Sequence, residues 1–435
     1  VFLKRLQLAL IHAAVAMTLV PINSTLNRVM IKEMAVSATL VAVLASLPYL
    51  FSPAQVLIGS YSDRHPWLGW RRTPYIAAGL LLCVAGVALA PQAVFLLPEN
   101  RALGLILSLL TFTAWGMGYN LAAVSYLSLA AEIDPKGRSR TIAVMFFVMV
   151  LGIILTAVSL SRLLEPYSPE RLEGAFRLVA AAAFALGLLG LFRLEARRQP
   201  AAEPPAGEER QPWGRLIRQV AAIPQARRFF LYLTLLLAAI LGQDVLLEPY
   251  AGEAFNLTVE TTTRITSIWG ACMLAALTLA NLLEKRLGKR RVAVMGAWTA
   301  FSGFVLIAAS GPLGALSGFY LGVVLLGIGT GLATTSNLSL MLDMTTERVG
   351  LFIGAWGVAN ALSRLLGTVL GGAVRDLATA ISADQVAGYV VVFIIEALLL
   401  VFSLLLLRRI DVRRFQEQSR KVGVSEQAAL LNEAS

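Results

Sequence analysis

Twelve apolar stretches, each about as long as a bilayer core is thick, constrain this chain more than any other feature. A spanning helix needs about 20 consecutive apolar residues. Such stretches predict helices over 8–31, 36–61, 72–92, 103–132, 139–163 and 173–194, then over 228–250, 261–284, 291–310, 313–342, 348–374 and 386–408. Only 14% of the 435 residues are charged and the mean hydropathy is +0.72, whereas an ordinary soluble domain carries about 25% charged residues. The expected fold class is therefore an all-α integral membrane protein with twelve transmembrane helices. The first apolar run begins near Leu8 and outlasts the apolar region of a signal peptide, so no cleavable leader is expected.

Two internal echoes make the twelve helices two sets of six. Gly116-Met-Gly118, eight residues, Leu127-Ser128-Leu129, two residues and Glu132 recur as Gly327-Ile-Gly329, eight residues, Leu338-Ser339-Leu340, two residues and Asp343. The polar loop Asp63-Arg64 to Gly69-Trp70-Arg71-Arg72 is echoed by Glu284-Lys285-Arg286-Leu287-Gly288-Lys289-Arg290-Arg291. Repetition on this scale marks one half as a diverged copy of the other. The expected organisation is an N-terminal half over 1–194, a linker over 195–227, a C-terminal half over 228–409 and a polar tail over 410–435. The linker holds Pro200, Pro204, Pro205, Pro212 and several acids, a composition that cannot bury a core.

The net charge of +11 does not point to nucleic acid, because the bases sit in short loops between apolar runs. There they set topology: the base-rich loops, the linker and the tail are expected in the cytoplasm, with both termini. Glycines four apart, at Gly314, Gly318 and Gly322 and at Gly367 and Gly371, suit close helix packing in lipid. Cys83 and Cys272 share no metal-ligand spacing and read as free thiols, and no metal site is expected.

Ionisable residues inside apolar runs are costly and mark function by default. Asp244 and Glu248 stand one helical turn apart, followed by Pro249, Tyr250 and Glu253. Two ionised acids at that spacing repel, so either one carries a proton or a base lies near; Arg264 is the candidate base in sequence. Pro249 is expected to stop or bend the helix. Glu132 and Asp343 occupy equivalent places, beside Lys136 and Arg348, and suit either gating or plain ion pairing. Arg364 and Glu396 are deeper in their helices and are candidates to pair with each other. His12 is the one histidine in an apolar run; it is a candidate pigment ligand or a histidine bonded to a neighbouring helix. Trp115, Tyr119, Tyr126, Trp269, Trp298 and Trp356 are candidates to line an apolar site or to serve as packing and interfacial anchors. No nucleophile–base pair stands out, so an enzyme is not expected.

Gly59-Ser-Tyr-Ser-Asp63-Arg64, with Gly69, Arg71 and Arg72, resembles the loop after the second helix of the major facilitator superfamily, with His65 to Leu68 inserted and Trp70 added. The second loop has Ala280 where that pattern has glycine. The resemblance implies a major facilitator fold and a gating role for the loop residues Asp63, Arg64, Arg71, Arg72, Glu284, Lys285 and Arg290; Glu132, Asp343 and Arg364 are further gating candidates by their places in the helices. A narrower likeness lies in Gly242-Gln243-Asp244 to Gly252-Glu253, in Gly350 to Ala361 with Trp356 and Asn360, and in Gly69-Trp70-Arg71-Arg72-Thr73-Pro74-Tyr75. These segments resemble the PucC/LhaA, or bacteriochlorophyll delivery, branch of that superfamily. That branch implies an assembly factor for light-harvesting complexes in a bacterial inner or intracytoplasmic photosynthetic membrane. Its cargo would be bacteriochlorophyll or chlorophyll, and its partners antenna apoproteins or the photosynthetic core complex. His12, Asp244, Glu248, Tyr250, Glu253, Trp356 and Asn360 are the candidate pigment or substrate residues. Magnesium also accepts carboxylate oxygen, so a scarcity of histidine does not exclude pigment. Alternating-access transport of a small solute is the competing expectation.

Overall fold

The computed structural model describes residues 2–55, 58, 61–62, 65–67, 69–133, 137–195, 224–344 and 349–410. Asp63, Arg64, Lys136, Arg348, most of the expected linker and almost all of the tail lie outside them. The described chain is helical, and its one β-type pairing is a turn in which Trp67 and Trp70 exchange backbone hydrogen bonds of 2.9 and 3.0 Å. Gly69 closes that turn at φ 82°, a conformation that costs a residue without a Cβ little.

The helices are α1 (Phe2–Met17), α2 (Ala38–Ala45), α3 (Leu47–Leu50), α4 (Thr73–Phe95), α5 (Arg101–Ile133), α6 (Arg138–Leu163) and α7 (Pro169–Leu191), followed by α8 (Pro224–Gly242), α9 (Leu247–Phe255), α10 (Val259–Leu287), α11 (Lys289–Ser310), α12 (Leu316–Met344), α13 (Val349–Ser382) and α14 (Gln385–Arg408). Eleven segments among the described residues are long and apolar enough to cross a membrane. The second expected helix, over 36–61, is the one not among them, and it is broken at Ser46 between α2 and α3. Pro48 lacks an amide donor there, and its carbonyl accepts from Asn120 of α5 at 2.8 Å.

Two other spans are irregular. α1 passes through π-helical turns at Pro21–Leu26 and Val29–Glu33, so its span runs from Phe2 to Glu33 rather than over 8–31. The seventh span breaks into a short 3-10 turn at Gln243–Val245 and resumes as α9. Pro249 is not the breaker expected from sequence. It lies in the first turn of α9, where a missing amide has no intrahelical partner to lose, and the helix continues to Phe255. α13 outlasts its expected end at 374 because Arg375 and Asp376 find partners inside the protein.

The sequence repeat is also a packing repeat. A Cβ on Gly79 of α4 would meet the Ala122 amide nitrogen at 2.5 Å, and one on Gly296 of α11 would meet that of Ala333 at 2.6 Å. Gly118 stands against the Cys83 nitrogen as Gly329 stands against that of Ala300. One step further, Gly86 approaches Trp115 and Gly303 approaches Leu326. The α4–α5 and α11–α12 pairs therefore cross backbone to backbone at matching positions, as small residues permit in lipid.

Both pairs are tied to the last helix of their half at the base-rich end. Glu195, placed in the linker by sequence, accepts from the amides of Arg71 at 2.9 Å and Thr73 at 2.8 Å and from the Thr73 hydroxyl at 2.7 Å. It thereby caps the start of α4. In the other half the polarity is reversed: Arg290, at the start of α11, donates to the Leu407 and Arg408 carbonyls at the end of α14.

Candidate functional site

The halves meet along α2, α3, α6 and the π turns after α1 on one side and the 3-10 turn, α9, α10 and α13 on the other. Polar contacts run along this seam. Asp244, in the 3-10 turn, accepts from Arg364 of α13 at 2.8 Å, and the same guanidinium donates to the Tyr49 hydroxyl of α3 at 3.2 Å. The two charged side chains remain 21% and 27% accessible, so the pair is not sealed into the packing.

Glu248 points elsewhere. One carboxylate oxygen accepts from Ser24, in the π turn after α1, and from Thr266 of α10 at 2.6 Å. The other oxygen is buried without a hydrogen-bond partner. Nearby, the Asn27 side-chain oxygen and the Arg28 Nε are also buried without one. Buried polar atoms are normally hydrogen-bonded, so partnerless ones along the seam between the halves suit water or a polar ligand group. The π turns supply this geometry: they shift side chains out of the regular helical register, setting Ser24, Asn27 and Arg28 on the seam.

These contacts revise several pairings expected from sequence. Arg364 pairs with Asp244, not with Glu396. Arg264 is not the base for the acidic pair. It donates to Ser161 of α6 at 2.8 Å and lies 3.5 Å from Glu165, because it sits on the side of α10 that packs along α6. Glu132 meets Arg72 at 3.2 Å, and Arg72 also donates to Ser62 at 2.7 Å. This cluster joins α4 and α5 within one half.

The remaining candidates are dispersed. His12 is buried in the N-terminal half between Tyr126 and Phe146, with ring centroids 5.1 Å from each, and its Nδ1 has no hydrogen-bond partner. Tyr250 anchors the C-terminal half: its hydroxyl donates to the Ile307 carbonyl at 2.7 Å and accepts from the Gly311 amide at 2.8 Å. Asn360 and Glu253 are half-buried, on α13 and α9. Glu284 is half-buried near the end of α10, and Lys285 beside it is exposed. The side chains of Trp356 and Asp343 lie outside the described residues.

A dense polar seam closes the end of the bundle away from the base-rich loops. Asp376 of α13 caps the start of α2, accepting from the amides of Ala38 at 3.0 Å and Thr39 at 2.8 Å. Arg28 donates to the Leu257 carbonyl at 2.8 Å, Lys32 to that of Gly252, and Ser161 to that of Glu260 at 2.7 Å. Sequence inspection missed Asp376. It lies two residues beyond the expected end of its helix at 374, beside Arg375, and reads there as an ordinary end-of-helix charge.

The PUCC protein family matches residues 25–415. The chain belongs to the PucC family. It is 32% identical over 417 residues to Protein PucC of Cereibacter sphaeroides, covering 91% of this chain and 89% of that one. It is 30% identical over 414 residues to a Rhodobacter capsulatus protein called Bacteriochlorophyll synthase 44.5 kDa chain, covering 92% and 94%. Among solved structures it is similar to a bacterial homologue of the human lysosomal transporter Spinster in an inward-facing, unoccupied conformation. The TM-score is 0.72 at 12% identity, over 95% of this chain and 97% of that one. The fold of this PucC family member is thus a major facilitator fold, and the protein crosses the membrane many times.

Proposed function

We propose that this chain is a membrane assembly factor for photosynthetic light-harvesting complexes. It binds or delivers (bacterio)chlorophyll, chaperones antenna apoproteins, or does both, in a bacterial cytoplasmic or intracytoplasmic photosynthetic membrane with both termini cytoplasmic. PucC membership over most of the chain supports this reading, as does the likeness to a protein named for bacteriochlorophyll synthesis. The observation that carries it is the seam between the halves, where Glu248 presents a buried oxygen without a partner. A hard carboxylate oxygen can ligate the magnesium of a pigment cargo. His12 offers a partnerless imidazole nitrogen instead, but it is packed inside one half and away from the seam. Asp63, Arg64, Arg71, Arg72, Glu132, Glu284, Lys285, Arg290, Asp343 and Arg364 serve the switch between two arrangements of the halves.

A second reading is a secondary transporter of a small solute. The Asp244–Arg364 pair favours it, since an accessible ion pair at the seam suits a charged solute. The absorption spectrum of the gently purified protein separates the two. Bacteriochlorophyll near one per chain supports the first; a colourless protein that restores solute uptake in vesicles supports the second and refutes the first.

A further inference from the structure

The flank of the C-terminal half carries a feature that takes no part in the seam. A groove of about 390 Å³ runs between α8 and α14. Leu235 lines it from α8, and Leu399, Phe402, Leu405, Leu406 and Arg409 line it from α14 and its cap. α14 packs on α8, α11 and α13 of its own half, and Phe402 and Leu405 are exposed. The groove therefore opens toward lipid, away from the seam.

Its two walls follow from helical spacing. Leu399, Phe402, Leu406 and Arg409 stand three, four and three residues apart, which sets them on one stripe of α14. On α8, Arg228, Leu231 and Leu235 stand three and four apart, and Arg228 and Leu231 are exposed. α8 leaves the base-rich end and α14 returns to it, so both stripes end in arginine at the same mouth. Arg227 and Arg408 are exposed beside them. α8 has no acid, and the one acid of α14, Glu396, is buried. The groove is thus apolar along its length and positive at its mouth.

The helix ends agree with that charge. Free carbonyls at the end of α14 would repel an anion, but Arg290 donates to those of Leu407 and Arg408 at 3.0 and 3.2 Å. α8 begins at this end and turns the positive end of its dipole to it. The size restricts the occupant. The volume falls within the about 300–1,000 Å³ of small-ligand sites. Another helix, about 10–12 Å across, is too thick for a crevice of six residues, whereas a hydrocarbon chain one methylene wide is not. A pigment tail would fit the walls too, but it brings no negative charge to the arginines.

We propose that this groove is a binding site for an anionic phospholipid. One acyl chain lies along Leu235, Leu399, Phe402 and Leu406, and the phosphate meets Arg409 and Arg228. Basic pockets between membrane helices recognise anionic head groups in this way. The site is independent of what the seam between the halves handles.

The test is native mass spectrometry of the delipidated full chain in detergent, offered phosphatidylglycerol and phosphatidylcholine with the same acyl chains. The wild type should retain phosphatidylglycerol over phosphatidylcholine by about 25-fold, about fivefold for each of two basic side chains. R228Q/R409Q should bring the ratio near one. K4Q/R286Q, which removes two exposed charges of the same end outside the groove, should leave it unchanged. Equal retention by the wild type, an unchanged ratio in R228Q/R409Q, or an equal loss in K4Q/R286Q overturns the proposal. A second measurement needs no variant. Phosphatidylglycerol with a photoreactive group on its acyl chain should label Leu235 and residues 399–406 in excess of the matching phosphatidylcholine. Equal labelling by the two lipids overturns the proposal as well, and so does labelling that bacteriochlorophyll suppresses while unlabelled phosphatidylglycerol does not.

Discussion

Asp376 holds Thr39 by two bonds, accepting its amide at 2.8 Å and its hydroxyl at 2.6 Å, and so fastens the last turns of α13 to the first turn of α2. A carboxylate at a helix start gains both from orphan amides and from the positive end of the helix dipole. Because the two helices belong to different halves, this contact favours the arrangement closed at that end. A ligand or mutation shifts such an equilibrium only by its differential effect on the two states.

Neutralising Asp376 should open that end. D376N removes the charge from about three hydrogen bonds, each charge-assisted bond contributing about 1.5–3 kcal/mol. A net loss of about 1.4 kcal/mol shifts the two populations tenfold. A cysteine replacing Thr263, which is buried at the seam between the halves against Thr25, should then react with a maleimide about tenfold faster in D376N membranes. An unchanged rate would show that the clasp does not set the closed state.

The matched glycine crossings give a prediction about stability. In G118A and G329A the new methyl groups meet backbone nitrogen, which cannot move aside as a side chain can. Each should lower stability by about 1–3 kcal/mol, read as a lower unfolding midpoint in detergent. G174A is the control, because a Cβ there meets nothing within 4 Å. It should be neutral or stabilise by up to about 1 kcal/mol.

The opposite caps at the base-rich end can be tested together. E195Q should weaken the start of α4 and R290Q the end of α14, each by about 1 kcal/mol. Hydrogen exchange at the first amides of α4 should rise in E195Q and remain unchanged in R290Q. Equal rates in both variants and the wild type would reduce Glu195 to a bystander.

Length and repetition of apolar runs made the span order and the paired glycines legible, because both depend on local sequence alone. What escaped depended on neighbours. The breaks at Ser46 and at Gln243–Val245 are stabilised by Asn120 and by the Asp244–Arg364 pair, partners far away in sequence. Glu195 looked like linker because its composition does, yet its carboxylate belongs to α4. Arg364 was matched to Glu396 on depth alone. Asp244 is two residues from Gly242, where α8 crosses α13 at Gly367, the Glu396 carboxyl reaches that crossing from α14, and nothing in the sequence spacing says which one holds the guanidinium. For Asp244 and Glu248, one-turn spacing implied one shared face, but the 3-10 turn between α8 and α9 rotates them onto different partners.

That separation makes Glu248 the sharper probe of function. E248Q keeps the shape, and its amide can still bond Ser24 and Thr266, so the variant should accumulate and insert normally. It loses the negative oxygen that stands partnerless at the seam. If that oxygen ligates a pigment magnesium or orients an apoprotein, E248Q should assemble several-fold less light-harvesting complex. Membrane absorption in the antenna band, normalised to this protein by immunoblot, gives the measurement. S24A is the companion variant: it removes one bond to Glu248 but leaves the charge, so its defect should be smaller, on the order of the 0.5–1.5 kcal/mol net value of a single hydrogen bond. Wild-type absorption in E248Q at normal protein abundance would remove Glu248 from the cargo site and leave it as a buried tie between α1, α9 and α10.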